Sequence, residues 1–240
     1  MMETARNSVI CIIGMHRSGT SCLAGCLEER GLSLGEVANV SANNPRGNKE
    51  NKQIQTLNEE VLTASGGSWD RPPDRLVWDD SLSQRRDELI TFHSENGIRG
   101  FKDPRTTITL PFWLQALPSM RLVATFRHPG AVAASLMKRK HLRPAIPPLE
   151  LWRHYNQALL SLLDQMDIPL LCFDWPADTY VHAVEKIAGY LGLNSGPGFA
   201  FDFFDEQIRN HELTELEDGI LGNQVTAIYS ELVERSDAWR

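Results

Sequence analysis

Apolar runs of four or five residues alternate with longer amphipathic stretches along this chain, the pattern of parallel strands joined by crossover helices. The runs predict strands at Val9 to Ile13, Ile98 to Phe101, Leu122 to Phe126 and Leu170 to Phe173. Helical periodicity falls between them, at Thr20 to Glu29 closed by Gly31, Lys52 to Thr63, the more polar Ser83 to Glu95, Thr106 to Ala116 and Gly130 to Lys140. Leu149 to Met166 and Asp178 to Leu191 are the most clearly amphipathic. Ser41 to Asn48 and Gly66 to Pro73 are rich in turn formers and read as loops. No internal repeat or low-complexity linker divides the chain, so residues 1–240 are expected to form one domain.

The first strand runs straight into a loop bounded by Gly14 and Gly19 and then into a helix. That spacing is the one found in nucleotide-triphosphate loops, G-x-x-x-x-G-K-[ST], except that Thr20 stands where the lysine would be. The nearest cation is Arg17, inside the loop, accompanied by the hydroxyls of Ser18, Thr20 and Ser21. Glycines let successive backbone N–H groups face one anion, the helix start adds its positive end, and a guanidinium fork suits phosphate or sulfate oxygens. The set suits an anion held without a metal. The expected fold class is therefore α/β: a P-loop-containing nucleotide-binding fold whose central parallel sheet is flanked by helices. A serine-capped strand-to-helix turn with no ligand is the plainer alternative.

Composition narrows the partners. The formal charge of −7 argues against a general nucleic-acid binder, so an anionic ligand must be drawn by local cations. No apolar run is long enough to span a bilayer and the first residues lack signal-peptide architecture, which makes a cytoplasmic location the expectation. Cys11, Cys22, Cys26 and Cys172 form no metal-ligand spacing and read as reduced thiols.

A second cluster suggests another half of the same site. Arg127 ends the third apolar run, Pro129 suits the first position of a helix, and Ser135 lies about two turns into it. Residues at the carboxyl end of a parallel strand face the crevice where open α/β sheets bind nucleotides.

With both halves in view, the chain resembles the sulfotransferases that use 3′-phosphoadenosine-5′-phosphosulfate (PAPS). Arg17 to Ser21 is similar to that family's 5′-phosphosulfate loop, in a form with arginine where many members have lysine. Arg127 and the serine eight residues on, Ser135, resemble its 3′-phosphate ligands. The segments Asn44 to Glu50 and Lys102 to Arg105 are similar to bacterial members in order and spacing, and the resemblance runs over roughly residues 8–192.

The resemblance implies PAPS as co-substrate and adenosine 3′,5′-bisphosphate as product, with Arg17, Ser18, Gly19, Thr20, Ser21, Arg127 and Ser135 binding the donor and no metal required. Negative charge growing on the bridging oxygen calls for cations, for which Arg17 and Lys102 are the candidates. An attacking hydroxyl needs a base, and Glu50 stands where some members carry a glutamate; His16 is the second candidate. A helix-terminal glutamate and a solvated Lys102–Asp103–Arg105 loop are the plainer readings of those positions.

The acceptor is expected to be a small molecule, carbohydrate or natural product, received between residues 39–80 and 138–148. Lys138, Arg139, Lys140 and Arg143 form a cationic run there, while Trp69, Trp78 and Trp113 are candidate stacking surfaces for the adenine, with core or acceptor-pocket walls the plainer reading, and Arg209 is a candidate phosphate neighbour. A P-loop kinase or NTPase, and a non-catalytic nucleotide-binding homologue, are the alternative functions.

Overall fold

The computed structural model describes residues 9–37, 46–138, 144–193, 201–206 and 219–240. Strands β1 (Ile10–Ile13), β2 (Gly100–Lys102), β3 (Arg121–Phe126) and β4 (Leu170–Cys172) form a parallel sheet in the order β2-β1-β3-β4. Cα partners at the carboxyl ends are Ile12 with Lys102, Ile13 with Ala124 and Phe126 with Cys172. Every residue of β1, β2 and β4 is buried, as a helix-covered parallel sheet requires. The chain leaves β1 for β2 on one side and reaches β3 on the other, so the switch point of the sheet lies at the carboxyl end of β1. The glycine loop occupies that point.

The helices among the described residues are α1 (Thr20–Glu29), α2 (Lys52–Ala64), α3 (Asp80–Glu95), α4 (Thr106–Leu114), α5 (Pro129–Met137), α6 (Pro148–Leu163), α7 (Ala177–Tyr190) and α8 (Ile220–Ser236), with a 3₁₀ turn at Asp237–Trp239. Helix α1 packs on α7, α2 on α3 and α4, and α6 on α4, α5 and α8. None of them is long and apolar enough to cross a membrane.

The predicted strands and helices are all present; α1 keeps its predicted bounds and the others have shifted ends. Strand β2 begins at Gly100 rather than Ile98, and the N–H groups of Arg99 and Gly100 both bond the carbonyl of Ser33. It ends on Lys102, a charge that the apolar pattern left outside the strand. Helix α4 is shorter than its pattern and carries Pro111 inside it. Helix α5 starts at Pro129 and ends at Met137; the remainder expected to Lys140 lies partly outside the described residues. Helix α8 was not predicted; it buries Val225, Ile228 and Leu232 and packs on α6 and β4.

Candidate functional site

The loop between β1 and α1 is fastened from inside. The N–H of Gly14 donates to Oγ1 of Thr107 on α4 at 2.9 Å. The Ser18 hydroxyl is buried and donates to the Met15 carbonyl at 2.5 Å, while Thr125 Oγ1 on β3 donates to the Ser18 carbonyl at 3.0 Å. Two groups that sequence alone would aim at an anion are thus bonded within the fold. Thr107 and Thr125 carry no sequence signal beyond their neighbourhood to strand ends. Arg17 and Gly19 stand at φ 70° and 89°, flanking Ser18 in the kind of turn that gathers N–H groups into an anion nest. Gly19 is required on a second ground: a Cβ there would lie 2.2 Å from the ring of Phe173. Among the described residues no side chain caps α1, which leaves its first-turn amides and dipole facing the loop. Thr20 is buried, and Ser21 Oγ donates to the Asn48 carbonyl at 3.0 Å.

The second cluster meets this loop. Arg17 Nε donates to Ser135 Oγ on α5 at 2.7 Å. Arg127 follows β3, and the register of Phe126 with Cys172 sets it beside Phe173 and Asp174. Its Nε donates to Asp174 Oδ1 at 3.1 Å and its guanidinium lies 5.2 Å from the Phe173 ring centre. The other carboxylate oxygen accepts the His128 N–H at 2.7 Å, so Asp174 fixes side chain and backbone of the same turn. Sequence reading missed Asp174, although its place just past a parallel strand end was a signal. His128 Nδ1 accepts the Gly130 N–H at 3.1 Å and so caps α5. Burial holds this imidazole below its usual pKa, with Arg127 acting in the same direction and Asp174 against it.

Glu50 and Lys102 are brought together. Lys102, at the end of β2, is 1% exposed, and its ammonium donates to Glu50 Oε1 at 2.6 Å. Burial pulls the lysine below the usual range, and the charge and hydrogen bond of Glu50 counter that shift. Arg105 brings a further cation, with Nη1 4.0 Å from Glu50 Oε2. Arg105 is oriented by Asp103, whose Oδ1 accepts its backbone N–H and Nη1, each at 2.9 Å, and by Glu59 at 3.0 Å. The turn is anchored by Asn58 of α2, fully buried. Its amide donates to Asp103 Oδ2 at 3.2 Å and Thr106 Oγ1 at 3.0 Å, and its oxygen accepts from Thr109 at 2.6 Å and Trp113 at 2.8 Å. A solvated loop, the plainer expectation for this segment, does not describe it.

His16, within the loop, has its ring 4.7 Å from that of Trp69 and 5.9 Å from that of Tyr155. The Tyr155 hydroxyl holds the Trp69 carbonyl at 2.9 Å, and burial raises that phenol's pKa. Asp70 accepts from Ser68 at 2.6 Å and from the Ala145 N–H at 2.9 Å, which ties the 66–73 loop to the start of the segment before α6. Of the three tryptophans, only Trp69 stands beside the glycine loop. Trp113 is core, and Trp78 bonds Gln115 at 3.2 Å. Arg209, Arg139, Lys140 and Arg143 lie outside the described residues. Among the described residues no group of three or more His, Cys, Asp and Glu side chains could hold a metal ion.

No family model matches the chain, and no curated protein sequence matches it significantly. Solved structures do share its fold. One is the sulfotransferase domain from the Synechococcus PCC 7002 olefin synthase, at 14% identity and a TM-score of 0.53, covering 95% of this chain and 94% of that one. Another is a sulfotransferase from Alicyclobacillus acidocaldarius, at 15% identity and a TM-score of 0.51, covering 96% and 94%. The fold is thus the α/β phosphate-binding-loop fold of sulfotransferases.

Proposed function

We propose that this chain is a sulfotransferase that moves a sulfuryl group from PAPS to an acceptor hydroxyl or amine. The observation that carries the reading is the 2.7 Å hydrogen bond from Arg17 to Ser135. It joins a loop that resembles a 5′-phosphosulfate site to a helix whose serine resembles a 3′-phosphate ligand. A donor with anionic groups at both ends of one nucleoside fits such a two-part site. The loop from Arg17 to Ser21, through its backbone amides, Arg17 and Ser21, receives the 5′ end. Arg127, braced by Asp174, and Ser135 receive the 3′-phosphate.

In the transfer, the acceptor oxygen forms a bond to sulfur as the sulfur–oxygen bond to the leaving phosphate breaks, and the acceptor proton passes to Glu50. Arg17 and Lys102 offset the charge that grows on the leaving oxygen. The Lys102–Glu50 ion pair links these two tasks. As Lys102 turns to the leaving oxygen, Glu50 is released to take the acceptor proton. Trp69 and the 66–73 loop form the acceptor wall, beside His16.

Calorimetric titration with adenosine 3′,5′-bisphosphate, ADP and ATP, each with and without magnesium, tests the reading. Tight binding that requires the 3′-phosphate and ignores magnesium is expected. Magnesium-dependent ATP binding with no preference for the bisphosphate would put a kinase or NTPase in its place.

A further inference from the structure

Glu50 is held by its chain neighbours on both sides. After it, Asn51 caps α2 by accepting the N–H groups of Gln53 at 3.0 Å and Ile54 at 3.2 Å, and its own amide donates to the Glu36 carbonyl at 3.2 Å. Before it, Lys49 stands at φ 56°. That left-handed conformation is unfavourable for any residue with a Cβ and persists where the surroundings impose it.

The surroundings that impose it belong to α1. Lys49 Nζ is 2.7 Å from Glu28 Oε2 and 4.9 Å from the ring centre of Phe203. Phe203 is itself seated on α1 at Gly25, where a Cβ would come within 2.2 Å of the ring. Glu29 accepts the N–H groups of Asp202 at 3.0 Å and Phe203 at 2.6 Å. Arg46 closes the arrangement by donating to the Asp202 carbonyl and, at 3.1 Å, to Asp205. The half of α1 remote from the glycine loop therefore grips the residue that precedes Glu50.

We infer that Lys49 is a positioning residue: held by Glu28 and Phe203, it aims Glu50 at Lys102. The inference depends on the sulfotransferase reading only for what Glu50 then does. Positioning at this scale matters, since a displacement of about 1 Å costs on the order of a hundredfold in rate.

Titration of the Lys102 ammonium by ¹⁵N-lysine NMR tests the aim directly. The charged groups that bear on Lys102 are Glu50, Asp103 and Arg105, and Glu50 is the one Lys49 would control. Glu50→Gln lowers the Lys102 midpoint. Lys49→Ala and Glu28→Gln are expected to lower it in the same direction, and Lys49→Arg, which keeps a cation in reach of Glu28, to leave it near wild type. Adenosine 3′,5′-bisphosphate affinity stays unchanged in all three. A wild-type midpoint in both Lys49→Ala and Glu28→Gln overturns the inference. A wild-type chain that fails to bind the bisphosphate overturns the sulfotransferase reading alone.

Discussion

The ammonium of Lys102 lies 2.6 Å from Oε1 of Glu50, across 52 residues of sequence. On the proposed sulfuryl transfer, this one contact joins the carboxylate that takes the acceptor proton to the cation that offsets leaving-group charge. Glu50→Gln and Lys102→Ala should each lower turnover by roughly 10²- to 10⁴-fold, the usual range for a positioned acid–base group. Affinity for adenosine 3′,5′-bisphosphate, which lacks the sulfuryl group, should change little. Single-turnover rates beside calorimetric titration make the comparison, and intact turnover in both variants would remove the pair from the mechanism.

If the proposed role holds, Lys102 also sets an alkaline limit to turnover. Burial holds its pKa below 10.5, so the protonated form, which the proposed mechanism uses against leaving-group charge, disappears as pH rises through that lowered value. The rate should fall on the alkaline side before an ordinary lysine would titrate. Lys102→Arg stays charged over the whole range. Its residual activity should show no such limb in a pH–rate profile.

On the proposed reading, Arg127 recognises the 3′-phosphate end of the donor. Arg127→Ala removes a charge-assisted contact worth about 1.5–3 kcal/mol from the bisphosphate, with little effect on a nucleotide that lacks the 3′-phosphate. Asp174→Asn keeps the guanidinium but loosens its brace at 3.1 Å and should give an intermediate loss. Equal weakening of both nucleotides on titration would make Arg127 a structural residue.

His128 gives a stability signature on the acid side. Its folded pKa is lowered from 6.5, so the unfolded chain binds the proton more tightly. The stability this contributes is present above 6.5 and is lost as pH falls from there through the lowered folded value. Protonation also removes the Nδ1 acceptor that caps α5. His93, lowered by burial, acts with the same sign. His128→Asn retains a capping oxygen without a titrating proton and should make the fall in melting temperature between pH 7 and 5 shallower than in wild type.

Local patterns made much of this molecule legible. The apolar run ending in a glycine loop marked β1 and α1, and a proline after Arg127 marked the start of α5. Both are short-range signals, carried by dihedral preference and burial. Residues that act through distant partners left no periodic trace. Asp174 meets Arg127 only because β3 and β4 are in register, and the left-handed Lys49 is imposed by α1 and Phe203. Lys102 looked like a loop charge because a lysine inside a parallel strand is tolerable only with a carboxylate that arrives from elsewhere in the fold. Helix α8 had the spacing of Val225, Ile228 and Leu232, but its exposed polar face and the acidic stretch before it masked the period.

Asn58 is the strongest case of a residue whose importance only the fold reveals. Its amide bonds Asp103 and Thr106, and its oxygen receives Thr109 and Trp113. Asn58→Ala leaves donors of Thr109 and Trp113 and an acceptor of Asp103 buried with those partners removed, at a cost of about 2–4 kcal/mol. Asn58→Asp is worse, since it places a second carboxylate against Asp103 in a site sealed from water. Because Asp103 orients Arg105, and Arg105 approaches Glu50 to 4.0 Å, the damage reaches the site. Urea unfolding should show the stability loss, and Asn58→Ala should lose turnover beyond what the unfolded fraction accounts for. A variant as stable as wild type would mean that α2 and α4 fix the Asp103 turn by apolar packing alone.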